Sequence, residues 1–235
     1  MRLVMPGRFW RRKMLIELTD ISKKYGGGEN EVVALKDINL SVSEKEFVAV
    51  MGKSGCGKTT LVNIMGTILK PDAGQYLFDG KDVSDCAEKQ LAALKRSSIS
   101  IIFQSFNLID ELDIKNNITL PFVFDKKEYD KEYFESIVKD LEIEDILNKY
   151  PDEISGGEKQ RSAIARALLV KPKLILADEP TGNLDSENSE KVIRLLKKCV
   201  DNYGSTVIMV THDIDMAGFA DRILEMSDGK MINGD

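Results

Sequence analysis

An α/β fold built around a largely parallel sheet is predicted by three features of the 235-residue sequence. In the second half, amphipathic segments alternate with short apolar runs, over 155–169, 173–177, 186–200 and 206–210. Helix and buried strand in alternation require crossover connections, and hence parallel strands. Phe47–Met51 is continuous, apolar and followed by glycine, the pattern of a central strand covered on both faces. Ahead of it, 15–18 and the alternation Ile38, Leu40, Val42 against Asp37, Asn39, Ser41 have period two, so the chain begins with half-buried strands.

The remaining elements follow in order. After the glycine, Leu61, Ile64, Met65 and Ile68 recur at helical spacing, and Pro71 with Gly74 ends that helix. Ile99–Phe103 is a further apolar run. From about 107 charge becomes dense, and Phe134, Ile137, Val138 and Leu141 mark an amphipathic helix. A helical subdomain inserted in the core is expected over about 107–168. At the end, 223–226 and 230–232 flank Ser227-Asp228-Gly229, whose Asp-Gly pair suits a tight reversal.

Composition limits what such a fold can be for. With 43% hydrophobic, 31% charged and 7% aromatic residues, the chain is an ordinary folded protein, neither disordered nor fibrous. Lys and Arg total 33 against 39 Asp and Glu, a net charge of −6, which points away from nucleic acid as the main partner. No apolar run approaches the roughly 18 residues of a spanning helix. Residues 1–13 hold Arg8, Arg11, Arg12 and Lys13 without the apolar stretch of a signal peptide. They are expected to be a loosely ordered extension before a domain over 14–235, with a basic membrane-surface tail as the alternative. The three cysteines Cys56, Cys86 and Cys199 are scattered, which indicates reduced thiols and a cytoplasmic protein.

The chemistry begins at Gly52-Lys53-Ser54-Gly55-Cys56-Gly57-Lys58-Thr59, followed by Thr60. This is an eight-position phosphate loop, set between a buried strand and an amphipathic helix. Its glycines let backbone N–H groups converge on phosphate oxygens, and the helix N-terminus favours an anion. Lys58 is expected to reach the β- and γ-phosphates and Thr59 to ligate Mg²⁺. The second motif, 174–179, is a buried strand that delivers Asp178 and Glu179 at its C-terminal end. Because neighbours on a strand face opposite ways, Asp178 is expected to hold Mg²⁺ and Glu179 to face the attacking water. The third is 154–161, Ile-Ser-Gly-Gly-Glu-Lys-Gln-Arg, in which Ser155 and Glu158 form a capping box around Gly156 and Gly157.

That third motif closely resembles the signature loop of ATP-binding-cassette (ABC) ATPases, and the likeness extends over about 15–232. It implies a P-loop NTPase core with a parallel sheet, an N-terminal antiparallel β subdomain and the inserted helical subdomain. It also implies that the Ser155 loop reaches the nucleotide of a second copy, in a head-to-tail dimer holding two ATP molecules. Tyr25 stands where the family stacks an aromatic on adenine. Gln104 matches the glutamine loop that contacts Mg²⁺, Asp185 belongs to the loop that communicates across the dimer, and His212 matches the switch histidine on the γ-phosphate. Lys53 and Cys56 depart from the commonest loop residues, and Glu158 stands where many members have glutamine; alkylation at Cys56 is expected to impair ATP binding.

Residues 103–108 and 177–185 look most like the macrolide-exporter, lipoprotein-releasing and peptide-antibiotic-resistance subgroup. The resemblance therefore implies an integral membrane permease partner, reached from the inner face of the cell membrane, and a role in export, extraction or resistance. A cell-division ATPase that relays motion to a wall hydrolase is the alternative. A soluble cassette acting on DNA or ribosomes fits less well, for want of a second cassette and a long coiled coil.

Overall fold

The computed structural model describes residues 13–233, so the expected extension over 1–13 lies, but for Lys13, outside the described residues. Strands β1 (Met14–Tyr25), β2 (Val32–Ser43) and β3 (Phe47–Met51) lead into α1 (Lys58–Met65), then β4 (Ala73–Phe78), β5 (Lys81–Asp82), α2 (Glu88–Ser97) and β6 (Ile99–Phe103). Helices α3 (Ile114–Asp125), α4 (Lys131–Asp140) and α5 (Gly156–Leu169) come next, followed by β7 (Leu174–Asp178), α6 (Ser186–Asp201), β8 (Thr206–Thr211), α7 (Ile214–Ala217), β9 (Arg222–Ser227) and β10 (Lys230–Asn233).

Two sheets result. A four-stranded antiparallel sheet runs β2-β1-β4-β5, and a six-stranded sheet runs β10-β9-β3-β8-β7-β6. In the larger sheet every pairing is parallel except β9 with the terminal β10. Its central strands are apolar between their ends because each face has its own cover. Ala49, Ala177 and Met209 join a cluster with Ile118, Ile137 and Ile164 of the helices, while Val50, Leu176 and Val210 join one with Leu61 and Ile64 of α1 and the antiparallel sheet. Helices α3, α4 and α5 have no separate core; their apolar side chains continue the first cluster.

The sequence reading needs amendment at several elements. Helix α1 stops at Met65, capped by Gly66, and Ile68 is 53% exposed rather than on its buried face. Where Pro71 and Gly74 suggested only a stop, the chain enters β4, and α2 follows without a buried residue. Strand β1 runs on to Tyr25 through register shifts that break strict alternation. Glu179, expected to extend its strand, lies one residue beyond β7 with φ of 48°.

Register places the site. Met51 pairs with Thr211, Val210 with Asp178, and Asp178 with Phe103, so the C-terminal ends of β3, β8, β7 and β6 form one row. The residues that follow those ends are Gly52, His212, Glu179 and Gln104. Parallel sheets offer ligands this edge.

Candidate functional site

A groove of about 680 Å³ lies over that row, lined by Lys53, Ser54, Gly55, Gly57, Lys58, Thr59, Thr60, Gln104, Glu179 and His212, with Val32, Val33 and Ala34 on its rim. Two glycines make the loop possible. A Cβ on Gly52 would stand 2.3 Å from the Met226 carbonyl oxygen, so the backbone passes β9 with no room for a side chain. Gly57 has φ of 107°, in the left-handed region, and a Cβ there would meet the Ala34 carbonyl at 2.4 Å. Gly57 caps α1 without any side-chain hydrogen bond, which leaves first-turn N–H groups to the groove.

Lys58 is buried, and its Nζ donates to the carbonyls of Gly52 at 2.6 Å and Lys53 at 3.0 Å. It stands 4.0 Å from Glu179 Oε1. The other oxygen of Glu179 is 2.8 Å from His212 Nδ1. Asp178 and Glu179 do diverge, but the left-handed turn at Glu179 separates them, and strand alternation does not apply. The Glu179 N–H donates to the Val210 carbonyl at 3.0 Å, which anchors that turn. Thr59 Oγ1 donates to Asp178 Oδ1 at 3.5 Å. Burial raises the Asp178 carboxyl above its usual range, the Thr59 bond works against that shift, and the Glu179 charge adds to it.

A hydroxyl and a carboxylate side by side are hard oxygen donors of the kind Mg²⁺ takes, with water and phosphate completing its shell. A divalent cation there would also favour the ionised form that burial opposes. Gln104 is held differently from the metal contact expected for it: its Nε2 donates to Asn183 Oδ1 at 3.2 Å, and its main-chain carbonyl accepts from Asn183 Nδ2 at 3.0 Å.

Tyr25 is 44% exposed at the end of β1, with its hydroxyl 3.4 Å from Thr60 Oγ1. Pairing of Tyr25 with Val32 and of Lys24 with Val33 carries two exposed valines to the same rim. Sequence reasoning missed those valines, and it named Asn183 only as part of the loop that communicates across the dimer, without its bond to Gln104. The signal for the valines was an adjacent β-branched pair on an exposed strand; for the Asn183–Gln104 bond there was none. Cys56 is 7% exposed and packs in the apolar cluster beneath the loop, off the groove, so alkylation there is not a direct probe of it.

Ser155, Gly156, Gly157, Glu158 and Asp185 are not in the groove of their own chain. Ser155 caps α5, Glu158 returns to it, and Asp185 caps α6 by accepting from the Asn188 N–H at 2.8 Å. The phosphate-loop residues, the paired acids and His212 are thus brought together, while a second set of residues at helix starts is left apart.

Residues 35–182 match the family described as ABC transporter. The chain is 42% identical over 224 residues to the ABC transporter ATP-binding protein MJ0796 of Methanocaldococcus jannaschii, covering 92% of this chain and 95% of that protein. It is 41% identical over 222 residues to the macrolide export ATP-binding/permease protein MacB of Chlorobaculum tepidum, covering 93% of this chain but only 34% of that protein. Among solved structures, dimeric MJ0796 in a post-hydrolysis state bound to ADP and Pi matches with a TM-score of 0.84 at 40% identity, over 93% of this chain and 97% of that one.

Proposed function

Because this chain belongs to the ABC transporter family, among its ATP-binding ATPases, we propose that it hydrolyses ATP between two copies of itself to drive a membrane permease. The observation that carries this reading is the convergence of Lys58, Thr59, Glu179 and His212 on one groove that lacks the Ser155 loop, with Asp178 held against Thr59. In a head-to-tail pair, the Ser155 to Glu158 segment and Asp185 of one copy face the nucleotide of the other.

Water attacks the γ-phosphorus, and the bond to the β-bridging oxygen breaks. Glu179 orients that water and takes up its proton. His212, fixed against Glu179, and Lys58 offset charge that grows on the phosphoryl oxygens, as do the loop N–H groups. Tyr25, with Val33, packs the base. Thr59 and Asp178 would hold Mg²⁺, which when bound would neutralise phosphate charge, and Gln104 is proposed to contact it once released from Asn183.

The permease reading is supported by a second groove, of about 520 Å³, between β6 and α3, lined by Ile101, Phe103, Pro121, Phe124, Arg166 and Val170 among others. Leu120, Pro121, Phe124, Arg166 and Ala167 of its lining belong to the helical region of 107–168. Among the described residues no helix is long and apolar enough to cross a membrane. The chain is placed at the inner membrane face by its permease, and likeness to macrolide export proteins favours export, extraction or resistance as the task.

The test is Glu179→Gln. ATP turnover should fall on the order of 10²- to 10⁴-fold while ATP affinity, measured by calorimetry, changes little. Undiminished turnover would remove Glu179 from the reaction.

A further inference from the structure

The capping box at α5 uses the proton that a phosphate would need. Ser155 Oγ donates to Glu158 Oε2 at 2.7 Å, and the Ser155 N–H donates to the same oxygen at 2.8 Å. The hydroxyl oxygen in turn accepts from the Glu158 N–H at 3.3 Å. A serine has one hydroxyl proton, and here it lies in a charge-assisted bond to a carboxylate. That bond, followed by the Ser155 backbone bond, holds the Glu158 carboxyl below its usual range, so the side chain is ionised. Toward anything in front of the loop, Ser155 presents lone pairs and Glu158 a negative charge.

Phosphate oxygens only accept, so a Ser155 that is to bind them must donate. We propose that Glu158 is a positioning residue that holds the Ser155 hydroxyl out of its phosphate-binding orientation, so that ATP-driven closure of two copies must first break the Ser155–Glu158 bond. This rests on the reading that the Ser155 loop of one copy meets the nucleotide of the other. The structure also holds a receiver for the displaced carboxylate. Arg161, one turn along α5, carries a buried Nε with no hydrogen-bond partner among the described residues, and it already acts electrostatically on Glu158 together with Lys149.

Glutamine at this position would preserve the capping box, since either side chain can return to the cap. Its amide oxygen is a weaker acceptor for the Ser155 proton, and its amide N–H can itself donate to a phosphate. The experiment is sedimentation velocity across a Mg-ATP titration, in a Glu179→Gln background that retains ATP, with melting temperatures measured in parallel. Glu158→Gln should lower the ATP concentration for half-maximal dimerisation by about ten-fold, the difference between a charge-assisted and a neutral bond. Ser155→Ala should raise it. An unchanged or higher midpoint for Glu158→Gln, while Glu158-containing protein dimerises normally, would overturn the proposal and leave the dimer reading standing. If every variant stays monomeric at saturating ATP, the dimer reading falls and the proposal with it. A capping role alone predicts a shift in melting temperature with no shift in the ATP midpoint.

Discussion

His212 and Glu179 share one proton geometry that sets both their roles. The 2.8 Å contact between His212 Nδ1 and Glu179 orients the ring and leaves Nε2 as the nitrogen that can meet a phosphoryl oxygen. Removing that ring by His212→Ala should lower kcat by about 10²- to 10³-fold, the usual effect of losing one donor to developing charge, as steady-state phosphate release would record. Asp178 makes the opposite kind of prediction. Burial raises its carboxyl pKa, so the folded chain holds that proton more tightly than the unfolded chain does. Its contribution to stability therefore falls as pH rises from the unfolded value of about 3.9 through the raised folded value. Asp178→Asn should accordingly raise the melting temperature of the nucleotide-free protein at neutral pH while abolishing turnover. Calorimetry with and without nucleotide separates the two effects. Asp178 and Glu179 were legible because a strand-end pair of acids is a local pattern, as is the glycine-rich loop, whereas His212 was assigned only through the family resemblance. The Gln104–Asn183 pair was not legible, because it joins residues 79 apart and only the fold brings them together.

Among the elements, those with a simple period were read correctly and those without were missed. Strands β3, β7 and β8 are apolar but for Asp178 at the end of β7 and Thr206 and Thr211 at the ends of β8, because both faces are covered, and α4 and α6 carry one buried stripe each. Helix α2 buries no residue and so has no stripe to read, while β4 buries only Tyr76 and Phe78 behind a glycine that looks like a terminator. The loop between β6 and α3 shows how a loop can be held by a helix, here α5. Phe106 and Asn107 have φ of 61° and 50°, a conformation disfavoured for residues with a Cβ. Arg166 of α5 donates to both of their carbonyls, at 2.9 and 2.7 Å. Replacing it by Met, which keeps much of the packing, should destabilise the chain by about 1–3 kcal/mol, the cost of carbonyls left without a donor. The urea midpoint would report that loss. Hydrogen exchange should quicken at 104–107 before the rest of the fold; uniform exchange across the chain would deny Arg166 this local task.

For the whole molecule, the two-faced sheet divides the labour. Its C-terminal edge carries the nucleotide groove, and the helical side carries the groove proposed for the permease. Phe124, 73% exposed on α3, contributes little to the chain's own stability. Phe124→Asp should leave the melting temperature unchanged yet reduce recovery of the chain with membranes that contain its permease. Equal recovery would move the docking surface elsewhere. The two bonds between Gln104 and Asn183 tie the nucleotide groove to the loop that runs on to Asp185, since one partner lines that groove and the other lies in that loop. They join dipoles without net charge. Counter-ions have nothing there to screen, and no proton comes on or off between the acid and alkaline limits of the fold. A signal passed through that joint would keep its strength from dilute buffer to brine, whereas the ionic steps on either side of it would not.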